Sequence, residues 1–354
     1  MKNGKPDCVP FIPQICVPHA VRVLGLPFEE TLLDVIRNPL RMNALSFECV
    51  KRYGVDGLRA WMPPPPLEVV QVDGVWFGRD GKTGQRLGRV DFLGGGGVLP
   101  TEAPSIRTEE DIDAIPVPAV DEVIAGGKLD GIQAILREAG DDYFVISCPG
   151  IVTPEYLTFT RGKQQALVDL LDRPAFCHKA LERALAVTIQ NALALAEIGI
   201  HGLLMGDTYG GVIGPDGFKE FFLPYLRRFV DALHSRLKDR CPVIYLHVCG
   251  NSTRLFELMA DTGVDCIEPL DPLGGVEVAD AKQRVGSRVA LMGGVHTVKL
   301  AQGTIEQVRS DVARCLREGA PGGGYTLACG DMLPTEASPE KVRLMLAAAR
   351  SWRY

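Results

Sequence analysis

The chain contains 354 residues, of which 46% are hydrophobic and 23% charged, so it can bury one large core or two smaller ones. A net charge of -6 and the lack of a basic run argue against nucleic acid as a partner. The sequence shows neither a secretory leader nor a run of about 18 apolar residues, so we expect a cytoplasmic protein with no membrane partner. Its 10 cysteines include no C-x-x-C pair and fit reduced, mostly buried thiols.

The first third of the chain predicts one strand followed by an irregular insertion. Residues 55–62 (VDGLRAWM) form the predicted strand, and residues 63–118 bring the run PPPP and β-branched stretches between glycine-rich turns. We interpret 63–118 as an inserted antiparallel hairpin at the mouth of the fold. Its pieces GRDGKT and GGGG lack the context of a phosphate-binding loop and indicate turns. Four aromatic side chains could line an apolar pocket or fill the core of the hairpin: Trp61, Trp76, Phe77 and Phe92.

From residue 143 onward, short apolar runs alternate with longer helical patterns. The predicted strands are 143–150, 200–210, 242–250, 264–271, 288–296 and 324–332, and the predicted helices are 175–198, 216–237, 252–262, 276–285, 304–318 and 339–350. This alternation favours βα units around a parallel sheet. Together with 55–62, it fits an α/β chain folded as a (β/α)8 TIM-type barrel better than an open sheet, although no eighth strand is obvious. We expect a single barrel domain over residues 1–354.

The ends of the predicted strands carry reactive side chains, and the carboxyl ends of barrel strands meet at one mouth. In YLHVCGNST (245–253), His247 and Cys249 are two positions apart, so they project to the same face of the strand. Glu268 and Cys329 lie at the ends of two other predicted strands. One imidazole, two thiolates and a carboxylate match a tetrahedral zinc site, so these four residues are the predicted ligands. The alternatives are a core histidine beside buried thiols and, for Glu268, a bond to a backbone amide or replacement by Asp271.

Further residues at strand ends are candidates for catalysis beside Glu268. Asp207 and Tyr209 could orient a substrate hydroxyl or act as acid and base, whereas Asp207 could instead cap the following helix. His296 is either a group close to the substrate or a loop histidine with a satisfied ring.

Several segments resemble a known family. HVCGNST, DCIEPLDPLGG and GYTLACGDMLPTEASPEK resemble the C-terminal half of the uroporphyrinogen decarboxylase superfamily, and DTYGGVIGPDGFKEFFLPYLRR resembles its middle segment. This superfamily contains porphyrinogen decarboxylases and zinc methyltransferases that work with corrinoid proteins. The H-x-C pattern with a distant cysteine, formed here by His247, Cys249 and Cys329, is similar to the methyltransferase branch. Glu268 lies where the similar barrel of cobalamin-independent methionine synthase would place a zinc-bound glutamate, and the N-terminus lacks the R-Q-A-G-R signature of the decarboxylases.

The resemblance implies a zinc-dependent methyltransferase that moves a methyl group between a small molecule and the cobalt of a corrinoid. The chain has no D-x-H-x-x-G motif, so we expect the corrinoid to arrive on a separate protein. A methyl ether such as a methoxylated aromatic is the favoured donor, and a thiol acceptor such as coenzyme M is the rival. The alternatives are a metal-free uroporphyrinogen-type decarboxylase and a binding protein without catalysis. A homodimer is compatible with the sequence, although no apolar stripe specifies one.

Overall fold

A curved parallel sheet forms the centre of the molecule. The computed structural model describes residues 6–100 and 104–354. Within this part, the sheet has seven strands that lie side by side in chain order. They are β1 (Gly57–Arg59), β6 (Phe144–Ser147), β7 (Gly202–Asp207), β8 (Val243–Val248), β9 (Cys266–Leu270), β10 (Ala290–Val295) and β11 (Tyr325–Cys329). The α/β, TIM-type barrel predicted from the sequence is confirmed.

The strands are buried on both faces because their apolar runs meet two separate cores. One core fills the inside of the barrel with one side chain of the N-terminal segment, Ile12, and others from successive strands: Ile146, Leu204, Tyr245, Cys266, Ala290, Met292 and Ala328. Residues at the alternate strand positions pack against the surrounding helices in a larger core. The inward positions closest to the carboxyl ends of the strands are therefore the ones that can build a site at the mouth.

The N-terminal segment around Phe11 occupies the gap between β11 and β1. Phe11 forms a parallel bridge with Leu327, and Leu327 N donates to Pro10 O at 2.9 Å. On the other side, Asp56 N donates to Phe11 O at 3.1 Å. This segment takes the place of the eighth strand. No clear candidate for that strand is visible in the sequence, because prolines interrupt the segment.

The insertion is a four-stranded antiparallel sheet, larger than the single hairpin expected for 63–118. Its strands lie in chain order: β2 (Glu68–Val72), β3 (Val75–Arg79), β4 (Arg86–Val90) and β5 (Val98–Pro100). Residues 101–103 of the predicted insertion lie outside the described residues. The aromatic side chains have separate environments: Trp76 Nε1 donates to Glu29 Oε1 at 2.9 Å, Phe92 packs on the N-terminal helices, and Trp61 packs on the barrel interior.

Helices surround the barrel and follow most of its strands. They are α1 (Val17–Leu24), α2 (Phe28–Arg37), α3 (Arg41–Tyr53), α4 (Glu109–Asp113), α5 (Val120–Ala125), α6 (Asp130–Ala139), α7 (Glu155–Arg161), α8 (Lys163–Asp172), α9 (Pro174–Glu197), α10 (Gly210–Phe221), α11 (Leu223–Leu237), α12 (Phe256–Ala260), α13 (Val278–Val285), α14 (Thr297–Gln302), α15 (Ile305–Gly319) and α16 (Pro339–Ser351). The predicted helix 216–237 is divided between α10 and α11, with Pro224 in the first turn of α11. Among the described residues, no helix is both long and apolar enough to cross a membrane.

Candidate metal centre

The end of β8 brings an imidazole and a thiol together. Tyr245 belongs to the core inside the barrel, so His247, two positions further along the strand, also points inward. Cys249 follows the strand, and the distance from His247 Nε2 to Cys249 Sγ is 3.1 Å. The sequence prediction that this pair shares one face is therefore in agreement with the geometry.

Asp331, in the loop after β11, supplies a third potential ligand. Its Oδ1 lies 4.0 Å from His247 Nε2, and single ligand atoms of His247, Cys249 and Asp331 all lie within 4.8 Å of one another. Zinc bonds of about 2.0 to 2.3 Å place tetrahedral ligand atoms roughly 3.3 to 3.8 Å apart. His247, Cys249 and Asp331 thus form a compact donor group. Its nitrogen, sulfur and oxygen atoms fit a zinc ion after small adjustments of the side chains.

Glu268 lies behind the imidazole and is held by an arginine. Its Oε1 is 3.1 Å from His247 Nδ1, on the other side of the ring from Cys249. Arg59 Nη2 donates to both oxygens of Glu268, at 2.7 and 2.6 Å, and Arg59 Nη1 donates to Gln14 Oε1 at 2.6 Å. Glu268 thus reaches the predicted site, but it contacts His247 and Arg59 and is not part of the compact donor group; its role as a zinc ligand stays a prediction.

Neighbouring polar and charged groups shift the pKa values of His247 and Glu268. Burial alone lowers the pKa of His247, but the hydrogen bonds with Cys249 and Glu268 outweigh it and raise this pKa to about 10. Burial alone raises the pKa of Glu268, yet the Arg59 guanidinium, together with His247, holds it below its usual value. Without a metal, the imidazole therefore keeps its second proton at neutral pH, and metal binding has to release protons from the donor group.

Cys329, the second predicted thiolate, points away from the interior core. Its neighbour Ala328 belongs to the core inside the barrel, whereas Cys329 packs in the core between sheet and helices. Burial, with a contribution from Asp331, raises the pKa of Cys329 to about 12. Cys329 lies outside the compact donor group of the described residues, and its ligation of zinc stays a prediction of the family resemblance.

The predicted acid and base at the end of β7 differ in burial, since Tyr209 is half-buried and Asp207 is fully buried. Asp207 is 1% exposed, and its two oxygens accept hydrogen bonds from the backbone amides of Tyr209 and Glu155 at 2.6 and 3.1 Å. Burial, and next the charge of Glu155, raises the pKa of Asp207 to about 7. Asp207 O also accepts from Cys249 N at 3.1 Å, which fixes the start of the Cys249 loop to β7. A carboxyl group that titrates near neutral pH can serve as a general acid or base.

His296 lies immediately before α14, at the end of β10. Its backbone amide donates to Asp311 Oδ2 at 2.8 Å, while its Nδ1 is buried without a hydrogen-bond partner among the described residues. An unsatisfied ring nitrogen is costly unless a water molecule or ligand pairs with it. This geometry is compatible with the predicted role of His296 near a substrate.

Two residues of the site were not predicted as site residues from the sequence. Arg59 is a charged residue inside the largely apolar run VDGLRAWM. A charged side chain in a buried strand is rare unless it has a partner, so this pattern could have indicated a buried ion pair. It pairs in register with Ile146, which belongs to the interior core, so its side chain enters the barrel. Asp331 lies with Cys329 among the reactive residues at the predicted strand ends, but no sequence feature favours it over Glu268 as the oxygen ligand.

The family follows from a match over most of the chain. A family model described as uroporphyrinogen decarboxylase (URO-D) matches residues 87–352. The chain belongs to the URO-D family. The resemblance seen in the sequence is thereby confirmed, and the URO-D match includes the residues of the metal centre except Arg59 and Gln14.

Curated URO-D relatives are distant. The uroporphyrinogen decarboxylase of Pseudoalteromonas translucida (strain TAC 125) is 30% identical over 232 residues, which are 64% of this chain and 64% of that protein. The uroporphyrinogen decarboxylase of Pelodictyon phaeoclathratiforme (strain DSM 5477 / BU-1) is 24% identical over 252 residues, 69% of each chain. The matched region thus spans about two thirds of these relatives.

Solved structures share the fold at low identity. A methyltransferase from Methanosarcina mazei superposes with a TM-score of 0.71 and 20% identity, over 98% of this chain and 95% of that chain. A B12-independent methionine synthase from Shewanella sp. W3-18-1 superposes with a TM-score of 0.56 and 12% identity, over 97% of both chains. These likenesses support the TIM-type barrel of this URO-D chain.

Proposed function

We propose that the protein is a zinc-dependent methyltransferase that moves a methyl group between a small molecule and the cobalt of a corrinoid on a separate protein. The observation that carries this proposal is the group of nitrogen, sulfur and oxygen donors formed by His247, Cys249 and Asp331 at the barrel mouth. A mixed set with a thiolate and an imidazole favours zinc over magnesium or calcium.

The charges around the donors suit a divalent cation. The Cys249 thiolate and the Asp331 carboxylate together balance two positive charges, and Arg59 already balances Glu268. If Cys329 also becomes a ligand, as the resemblance implies, its thiol loses a proton and its side chain turns toward the mouth. Zinc bound here would stabilise a substrate thiolate at neutral pH or polarise the oxygen of a methyl ether.

A methyl ether such as a methoxylated aromatic is the donor that we favour. Trp61 follows β1 at the mouth and is half-buried against the interior core. The side-chain amide of Asn43 fixes the Trp61 backbone, because Asn43 Nδ2 donates to Trp61 O and Trp61 N donates to Asn43 Oδ1, both at 2.8 Å. This rigid aromatic surface can stack on an aromatic substrate, whereas a small thiol would not need it. A thiol acceptor remains the close alternative within the same mechanism.

The loops around Cys249 offer a surface for the corrinoid protein. Val212 and Leu273 are 74% and 58% exposed, respectively. Gly211, next to Val212, lies close to the backbone of Asn251, and Gly274, next to Leu273, lies close to the backbone of Gly250. The two apolar side chains therefore flank the loop that follows Cys249. Single exposed apolar side chains are common on protein surfaces, so it is the place of these two beside the donor group that makes them candidates for contacts with a partner protein. They support the proposal that the methyl group is exchanged with a protein-bound corrinoid.

The second candidate is a uroporphyrinogen-type decarboxylase, because the curated relatives carry that name. A porphyrinogen has several carboxylates, which cationic side chains would have to bind. Arg59 enters the barrel but is already bonded to Glu268 and Gln14. This neutralised arginine favours the methyltransferase proposal.

The decisive activity test uses cob(I)alamin in place of the unidentified corrinoid protein. Zinc-loaded protein is incubated with methoxylated aromatics, and loss of cob(I)alamin absorbance is followed together with release of the phenol. The reverse assay offers methylcobalamin and a thiol. We expect turnover in one direction that Cys249→Ser abolishes. Conversion of uroporphyrinogen without added metal, in the absence of any methyl transfer, would contradict the proposal and support the decarboxylase.

A further inference from the structure

A chain of buried hydrogen bonds lies behind His247, away from Cys249 and Asp331. Arg59 connects its two ends, donating to Gln14 on one side and to both oxygens of Glu268 on the other. Glu268 Oε1 then faces His247 Nδ1 at 3.1 Å. The Arg59 and Glu268 side chains are only 4% and 2% exposed, so water does not screen their interaction.

This arrangement determines which nitrogen of His247 is available to a metal. An ionised carboxylate only accepts hydrogen bonds, so His247 Nδ1 carries the hydrogen that it donates to Glu268. His247 Nε2 therefore faces Cys249 and Asp331 as the ligand nitrogen. Metal-binding histidines generally have such a partner on the second nitrogen, which orients the ring and raises its basicity.

Arg59 also restrains Glu268 from becoming a ligand. A carboxylate this close to a metal centre is a competing oxygen donor. To turn toward the metal, Glu268 would have to leave the guanidinium unpaired in a buried position, which is strongly unfavourable. Gln14 holds the other end of the guanidinium, so Arg59 cannot easily follow that movement.

We propose that Arg59 is a positioning residue that keeps Glu268 on His247 Nδ1 and off the metal, in place of the ligand role predicted for Glu268 from the sequence, and that the oxygen ligand is Asp331. Arg59 comes from β1 and Glu268 from β9, so the pair joins strands that are not neighbours in the sheet. The part of this inference that concerns metal affinity rests on the proposed zinc function. The part that concerns the His247 proton does not need a metal.

The test compares Arg59→Met with Arg161→Met as a matched control. Arg161 forms another buried ion pair, 2.6 Å from Asp169, in the helical layer. One measurement is the exchange rate of the His247 Nδ1 proton in ¹H–¹⁵N spectra, and the other is the zinc dissociation constant by competition with a chelator. We expect Arg59→Met to lose the slowly exchanging proton and to raise the dissociation constant roughly tenfold, while Arg161→Met matches the wild type.

The outcomes separate this proposal from the proposed function. A dissociation constant for Arg59→Met equal to or below that of Arg161→Met would overturn the restraint of Glu268. If the wild type takes up no zinc, the proposed function fails. Separately, a rapidly exchanging His247 Nδ1 proton in the metal-free wild type would overturn the positioning role of Arg59. If Arg59→Met does not fold, Arg59→Lys replaces it, with an expected rise of about threefold because lysine lacks the guanidinium fork. No change in either measurement for that variant would contradict the proposal.

Discussion

The pH dependence of stability tests the surroundings of Asp207. Burial, with the charge of Glu155, raises the pKa of this carboxyl from 3.8 to about 7. Between these two values the folded protein keeps the Asp207 proton, whereas the unfolded chain releases it. The unfolded state then binds fewer protons, so the contribution of Asp207 to the free energy of unfolding falls as the pH rises from about 4 to 7 and is constant above that range.

The expected size follows from the same shift. One pKa unit corresponds to about 1.4 kcal/mol, so a rise of roughly three units corresponds to about 4 kcal/mol as an upper estimate. Asp207→Asn removes this titration and leaves the other ionisable groups in place. The wild type minus Asp207→Asn difference in the free energy of unfolding should therefore decrease by about 3 to 4 kcal/mol between pH 4 and pH 8.

Urea unfolding at each pH measures this difference, provided that the m values of the two proteins agree. The constant effect of the asparagine amide appears as an offset and does not affect the slope. Glu155→Gln should reduce the decrease, since it removes the charge that contributes to the raised pKa. A difference that stays constant within about 0.5 kcal/mol over the whole range would refute the inference that Asp207 is protonated near neutral pH.

Two further predictions concern the stability of the fold that surrounds the site. Thr304 caps α15 in a capping box with Gln307, so Thr304→Ala should lower the free energy of unfolding by about 1 kcal/mol in urea titrations; an unchanged midpoint would contradict the capping role. Gly293 of β10 has φ 124° and an added Cβ would lie 2.5 Å from Leu270 N, so Gly293→Ala should cost more than about 2 kcal/mol. Gly322→Ala is its control, because that position has φ 81° with open space around it and should cost only about 1 kcal/mol; equal losses would show that the contact with Leu270 is unimportant.

The regular part of the barrel could be predicted because its local signals agree. Runs such as CIEPL and YTLAC are buried on both faces in β9 and β11, and helical periodicity separates them along the chain. The closing segment around Phe11 could not be predicted, because its place depends on two distant partners, Leu327 and Asp56, rather than on strand propensity. The strand 55–62 was predicted too long, since only Gly57–Arg59 pairs with β6.

The site was predictable where one strand determines it and uncertain where several strands meet. The spacing of His247 and Cys249 follows from strand alternation alone. The state of Glu268 depends on Arg59, which lies more than 200 positions earlier in the sequence. Asp331 joins the donors through the loop after β11, whose path no sequence pattern specified.

The zinc content of the purified protein tests the central claim most directly. Wild type, Cys249→Ser, Asp331→Asn and Cys329→Ser are loaded with zinc, dialysed and analysed by mass spectrometry. Cys148→Ser is the control, because Cys148 is a half-buried thiol that lies after β6 and outside the compact donor group. Circular dichroism confirms that every variant is folded.

We predict about one zinc per chain in the wild type and in Cys148→Ser, and less than about 0.1 zinc per chain in Cys249→Ser and Asp331→Asn. Loss of zinc in Cys329→Ser would add that thiol to the ligands, as the family resemblance implies. A wild type without zinc, or equal zinc in Cys249→Ser and Cys148→Ser, would contradict the metal centre and with it the proposed methyl transfer.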